Sequence, residues 1–572
     1  MSYFCRVPAQ VQRPWPAHLL AMSVPLQLSL LLTASTLLTF GAAFSLSACN
    51  SAVQTKASQT PTILNNRSIF FTTPANLSNL VLTPDGCNEL CGGTANAIDS
   101  DCGPRLFQWV LPVVILIGSI QTPPLAWWKR FWCMLRFIGD PMDALLSIIY
   151  TLGMYRQCYH HAGELATTLA ERLTGSGQEP GENLVRERIN VPHLRRRFAF
   201  TMSAFMALNL STTVETVRDY MKEAITTPGA IDFKTLLVNT AGKIAENRTR
   251  EMWKAGNAVF WCVAGLVVAL VPAAGGSPSG AMLASALALS PLFLFVLLSN
   301  SLGENKSDYA LHKTIREFLE GCSGAGVERF KTLQQQLANS MYLDRLLYTA
   351  GTSCYQPGKF LMLEEYARNL MGWNGIFLVT LLLIFPLSLA AAAGAIAAPP
   401  AYFNDRDFLV IGIFVIWVLS IFTTALLSRY CRNEELRWRL VAAKDTLIAT
   451  TISACLAGTT CGWLSSCRMW AGIYRYGEAN ARIYLNPTAD FHWNNYVLYP
   501  ILLGVCFAVN ILPYFGVWCI YWQAFQVVTW SDEEVLDALR NGEQADGDQV
   551  MAVPGGIEPR GAMSVLTRST TI

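Results

Sequence analysis

Long apolar runs alternate with mixed-charge stretches along this chain, and the runs come in membrane-sized lengths. Phe408 to Ser428 has 21 residues without a charge. At about 1.5 Å per residue such a helix spans roughly 30 Å, the thickness of a bilayer hydrocarbon core. Further runs of this kind cover Leu26–Phe44, Phe107–Trp128, Phe260–Ala273, Ala281–Leu298, Gly375–Ala397 and Tyr496–Trp522. Residues 446–467 are also apolar but crowded with Ala, Gly, Ser, Thr and Cys. Small residues suit close helix contact in lipid, so this run reads as a further span packed among neighbours. The pattern predicts an all-α polytopic transmembrane helical bundle of about seven spans. It has cytoplasmic helical insertions and a small disulfide-bearing ectodomain.

The segments between the runs divide the chain. Residues 1–49 read as a signal sequence or a retained signal-anchor helix, with Arg6 and Arg13 ahead of the apolar run. An exoplasmic Ser/Thr/Asn-rich segment follows at 50–105, then a span at 106–128 and a cytoplasmic helical region at 129–253. Transmembrane hairpins occupy 254–300 and 374–428, around a second cytoplasmic helical region at 301–373. A basic segment at 429–445 leads to the span at 446–467, a polar aromatic loop at 468–495, a last span within 496–530 and a tail at 531–572.

Orientation comes from Lys and Arg near the span ends, which favour the cytoplasm. Lys129 and Arg130 close one span, and Arg429, Arg432, Arg437 and Arg439 follow another. Both places are therefore expected inside. The span at 446–467 strains this rule, because crossing there puts Arg468, Arg475 and Arg482 outside.

The exoplasmic segment carries two sequons, at Asn66 and Asn76, and four cysteines, Cys49, Cys87, Cys91 and Cys102. Glycosylation at both asparagines and at least one disulfide among Cys87, Cys91 and Cys102, with Cys49 as a further partner, suit an oxidising compartment. Asn209, Asn247 and Asn305 fall on cytoplasmic segments and are expected to stay unmodified.

Composition agrees. Of 572 residues 52% are hydrophobic and 14% charged, against about 25% charged in soluble domains. The net charge of +2 gives no reason to expect nucleic acid. The partners expected are the lipid bilayer and unidentified proteins, in a membrane of the secretory pathway, the plasma membrane in particular.

Candidate chemistry is sparse. Asp140-Pro141-Met142-Asp143 is a helix start, with Asp as N-cap and Pro at the first helical position; a paired-carboxylate metal site is the sharper alternative. Cys158, His160, His161 and Glu164 lie together but match no zinc spacing, and read as a packed helix end. Arg195-Arg196-Arg197 precedes an apolar helix that fits either a membrane surface or a protein core. In 474–495, Glu478 and Arg482 are spaced to pair on a helix. Arg482, Asp490 and His492 alternatively line a ligand mouth. The clear spans lack ionisable residues, which speaks against ion-coupled transport. No phosphate loop, dinucleotide fingerprint or nucleophile elbow occurs. No catalytic residue, cofactor or metal is expected.

The NELCG-containing segment, the GDPMD following the first basic belt and the RYCRNEELRWR ahead of the small-residue run together resemble the layout of uncharacterised multi-pass membrane proteins of filamentous fungi. The resemblance implies a eukaryotic source and no activity. Function therefore rests on architecture: a non-enzymatic receptor-like or scaffold component, with a transporter or channel for an unidentified solute as the alternative.

Overall fold

The computed structural model describes residues 46–71, 80–91, 106, 110, 113–120, 135–175, 191–207, 213–226, 230–249, 252–274, 291–305, 308–324, 380–385, 388–389, 403–431, 434–461, 466–485 and 499–528. It is mostly α-helical, with four two-residue strands among the described residues.

Helix α1 covers Leu46–Gln59 and α2 Pro84–Cys91, with β1 at Val81–Leu82 between them. A long helix, α3, runs over Pro141–Gly175. It is followed by α4 (Val191–Ala207), α5 (Val214–Thr226) and α6 (Ala230–Glu246). Strand β2 (Arg248–Thr249) leads to α7 (Met252–Ala274). Then come α8 (Pro291–Leu302), β3 (Glu304–Asn305) and α9 (Asp308–Gly324). Helices α10 (Asp405–Tyr430) and α11 (Glu434–Thr460) follow. Single turns at Cys467–Trp470 and Ile473–Tyr476 precede β4 (Ile483–Tyr484). Helices α12 (Tyr499–Ile520) and α13 (Trp522–Val528) complete the described chain.

Two hydrophobic cores hold these elements. The larger is built around α3, whose residues 142–155 are buried almost without a break. Helix α4 lies along it, with Phe198, Phe200, Phe205 and Met202 inside. This decides between the two readings of the basic stretch: α4 is a packed helix. Arg195 turns its guanidinium over the Tyr159 ring, 3.9 Å from the centroid, and its Nε donates to the Tyr159 carbonyl at 3.1 Å. Helices α5, α6 and α9 complete this layer, and β2 pairs antiparallel with β3, Arg248 opposite Asn305.

The helix start expected at Pro141 is present. Asp140 Oδ1 accepts from the Asp143 backbone N–H at 3.1 Å, and proline opens the first turn without costing a hydrogen bond. Helix α10 begins with a capping box, in which Asn404 Oδ1 accepts from the Arg406 N–H at 2.9 Å and Asp407 Oδ2 from the Asn404 N–H at 2.6 Å.

Two helices are long and apolar enough to cross a membrane, within Asp405–Thr424 and Arg439–Thr460. Their exposed faces carry Ile411, Val415, Leu419, Phe422 and Leu426 on α10 and Leu440 and Leu447 on α11. The second stretch sits earlier in the chain than the expected span at 446–467, because α11 runs unbroken from Glu434 and ends at Thr460. Helices α7, α8 and α12 lie in the other apolar runs. Lys129, Arg130, Asn76, Asn209, Cys102, Asp490 and His492 lie outside the described residues.

The smaller core joins segments far apart in sequence. Val53, Ile69, Phe70, Leu80 and Leu82 pack with Met469, Trp470, Ile483 and Leu485. Strand β1 pairs antiparallel with β4, Val81 opposite Tyr484. Gly86 is required here, since a Cβ on it would run into the Ile69 backbone.

Candidate functional site

The α10–α11 hairpin is fastened at two levels, by different chemistry. At the end where α10 begins and α11 finishes, it meets the smaller core. Cys49 is bonded to Cys91, and Cys87 to Cys467, 380 residues further on. Cys461 is disulfide-bonded as well. The Tyr474 hydroxyl donates to Asp405 Oδ1 at 2.8 Å, and the Phe403, Phe408 and Tyr474 rings stack edge to face around it. Burial of rings with their edges on faces adds to the area term.

Cys467 is the partner that the sequence did not supply. The expectation grouped the cysteines of 49–102, whereas the structure draws Cys87 across to the loop after α11. That pairing sets Arg468, Arg475 and Arg482 on the same body as the sequon-bearing segment. Arg482 stands over Tyr476 at 4.4 Å, Phe71 at 5.4 Å and Tyr484 at 5.6 Å. Glu478 and Arg482 do not share a helix: Glu478 opens a 3₁₀ turn and Arg482 follows it in extended chain. Arg482 thus belongs to an aromatic stack. Asn66 is exposed, its side-chain oxygen accepting from the Ser68 N–H and hydroxyl at 3.1 and 2.7 Å.

Deeper in the hairpin lies a buried ionic knot. It joins the start of α3 and the turn before it (Arg136, Asp140, Asp143) to α10 (Ser420, Thr424) and α11 (Lys444, Asp445). Asp140 and Asp143 are 0% exposed and Asp445 2%, so water contributes little there. Asp140 Oδ2 accepts from Lys444 Nζ at 2.6 Å, Ser420 Oγ at 2.7 Å and Thr424 Oγ1 at 3.1 Å. Lys444 Nζ also meets Asp445 Oδ1 at 2.8 Å. Arg136 forms an ion pair with Asp143, and its Nε lies 3.4 Å from Asp445 Oδ2. Alongside, the Trp417 indole N–H donates to the Ile138 carbonyl at 2.9 Å. Gly139 lets the α11 backbone come this close, because a Cβ there would collide with the Asp445 carbonyl.

Desolvating an ion costs several kcal/mol, offset only by good geometry and filled lone pairs. Asp140 meets that demand, since both of its oxygens are occupied while it also caps α3. Among the described residues the side chains around it, Ser420, Thr424 and Asp445, are buried as well. What the knot does is lock three segments in one register.

The Phe408–Ser428 run itself carries no ionisable residue; the charges of the knot lie just outside the runs read as clear spans. Lys444 and Asp445 fall inside the apolar stretch Arg439–Thr460, and Asp407 is buried in the first turn of α10. The signal was present in α10: Trp417, Ser420 and Thr424 fall on one helical face, a polar stripe in an apolar run. Asp140 and Asp143 do come together with other charged groups, but their partners are cations, which makes the arrangement a set of ion pairs. His160, His161 and Glu164 are neighbours on α3, away from the knot.

No protein-family model matches the chain, and no curated protein or solved structure matches it either.

Proposed function

We propose that the chain is a non-enzymatic, receptor-like or scaffold component of a membrane in the secretory pathway, crossing the bilayer several times. The α10–α11 hairpin is its central pair of spans, and the smaller core is its exoplasmic domain. The observation that carries this reading is the double fastening of the hairpin. Disulfides and a shared core hold one end, and a dehydrated ionic knot holds the helices further in. Such a hairpin transmits position from an outer domain to the inner helical layer. Among the described residues the groups at the knot are buried, which supports a dry contact there over the wet path a carrier needs. Along the α10 axis Ser420 lies nine residues, roughly 13 Å, from Arg429. With Arg429 at the inner interface, the knot is at membrane depth, shielded from water on both sides. The outward Ile, Val, Leu and Phe side chains of α10 then face lipid.

Transport of a solute remains the second reading, because ionisable groups at membrane depth often mark pathways. Cysteine accessibility separates the two. Ser420→Cys and Thr424→Cys are made in the intact chain and treated from each side with a membrane-impermeant thiol reagent. The expected result is no labelling at either position under native conditions and labelling after denaturation. Labelling of the native protein, protected by a candidate solute, overturns the scaffold reading. In the same cells, Asn66→Gln is expected to remove one glycan-sized gel shift. If Asn66 is never modified although it is exposed, the exoplasmic assignment falls.

A further inference from the structure

Three ligating side chains cluster on the exposed flank of α3, far along the helix from its ionic start. His160, His161 and Glu164 bring one ligand atom each within 4.8 Å of one another. Helix geometry explains why. At 100° per residue, Glu164 is offset about 40° from His160, between the two histidines and one turn beyond them. Helical side chains lean toward the N-terminus, so the carboxylate reaches back to the imidazoles. The rings stand edge to face, 5.6 Å between centroids.

The ordinary explanation is an ion pair within one turn of helix. It fits poorly. His161 Nδ1 and Glu164 Oε2 are 3.7 Å apart, beyond hydrogen-bond reach. His161 Nδ1 is buried and has no hydrogen-bond partner. A shielded nitrogen facing a carboxylate across a gap is what a shared cation would bridge. Cys158 does not belong to the group, being fully buried in the core.

We propose that His160, His161 and Glu164 bind a borderline divalent transition metal, with zinc as the best fit. Two imidazoles and a carboxylate are the donors that such ions accept, and three protein ligands leave a fourth position for water. Tetrahedral zinc with ligands at about 2.0–2.2 Å needs ligand atoms roughly 3.3 Å apart. His160 and Glu164 are exposed and free to close that distance by side-chain rotation. The nearby packing of Arg195 on Tyr159 holds the helix turn in place from the other side.

The test uses the full chain, purified without a histidine tag and stripped with a chelator. Zinc is titrated against a chromophoric competitor, and cobalt is read by its visible absorption. One equivalent is expected to bind, with a cobalt spectrum of tetrahedral intensity. His160→Ala and Glu164→Gln, both at exposed positions, are each expected to weaken zinc about tenfold or more, since even groups outside the ligand shell contribute roughly 10–100-fold. Thermal melts establish that both variants fold. Equal zinc affinity in the parent and both variants overturns the site, as does the absence of any equivalent bound.

Discussion

The two fastenings of the α10–α11 hairpin solve one problem by opposite means. Both tie residues hundreds of positions apart. Near the hairpin's open end the tie is covalent, Cys87 to Cys467, and the residues around it form an apolar core that would pack under any charge state. Deeper in the hairpin the tie is ionic, Lys444 to Asp140, and the surroundings are apolar helix. A covalent bond tolerates water and needs only an oxidising compartment. An ionic tie inside a bundle needs dryness, because exposed pairs contribute only about 0–1 kcal/mol. The difference teaches where each is used: disulfides at the wet end, paired charges further in.

The largest expected effect comes from splitting the knot. Lys444→Met leaves Asp140 buried with its cation gone, a change that costs roughly 3–5 kcal/mol. Asp140→Asn is the informative partner, since Asn keeps the helix cap. Combined with Lys444→Met it removes both charges and is expected to recover most of the loss. Thermal melts of the detergent-solubilised single and double variants measure the cycle. If the double variant is no more stable than Lys444→Met alone, the pair does not act as a pair.

Cutting the covalent tie comes next. Cys87→Ser is expected to cost about 2–5 kcal/mol, the usual range for a native disulfide. Cys49→Ser is expected to cost less, because it opens a loop of 42 residues rather than 380. Proteolysis without reductant is the direct check. A cross-linked peptide containing Cys87 and Cys467 is expected in the parent and absent in Cys87→Ser. A peptide joining Cys87 to Cys91 instead would dissolve the comparison.

These two ties were unequally legible. The clustered cysteines of 49–102 announced cross-linking, and the helix start at Asp140-Pro141 was plain from capping chemistry. The apolar runs marked α10 and α12; among the described residues two helices meet the length and composition needed to cross a membrane. Cys467 was hidden because cysteine partners are set by three-dimensional proximity, and it closes a run, 446–467, that reads as membrane. The knot was hidden for another reason. Lys444 and Asp445 stand together, so each looks like the other's neutraliser in a basic linker, and nothing in α11 reveals that Asp140 waits 304 residues earlier. Ser420 and Thr424 look like small residues at a helix contact until the carboxylate they serve is in view. His160, His161 and Glu164 on α3 read from sequence as a packed helix end, since their spacing matches no zinc pattern, and their closeness to one another depends on the helix being formed.

A third region sharpens the contrast. His312 in α9 is 2% exposed, and neither ring nitrogen has a hydrogen-bond partner. Burial holds its pKa below the ordinary value near 6.5. The native state therefore keeps the ring neutral while the unfolded chain takes up a proton in acid. Stability from this site is complete above about pH 6.5 and is lost progressively as pH falls below it. Melts at pH 7.5 and 5.5 are expected to differ more for the parent than for His312→Leu. An equal drop in both would assign the acid sensitivity elsewhere.

The smallest effect is expected at Lys243 and Glu317, a charged pair on the surface between α6 and α9. Lys243 Nζ donates to Glu317 Oε2 at 2.9 Å, almost as close as Lys444 to Asp140. The hydrogen bond from Lys243 lowers the Glu317 pKa. Because the folded pKa is depressed, the contribution is present above the ordinary value near 4.5 and lost as pH falls through the folded one. Both side chains are about half exposed, at 57% and 41%, so water screens the attraction and side-chain freedom opposes it. Lys243→Ala is therefore expected to change stability by less than about 1 kcal/mol, and 0.5 M salt is expected to erase most of the difference. The same salt leaves the Lys444→Met loss intact, because ions do not reach a carboxylate with 0% exposure. If salt weakened both variants' effects alike, the knot would be wet, and the distinction between the hairpin's two fastenings would lose its physical basis.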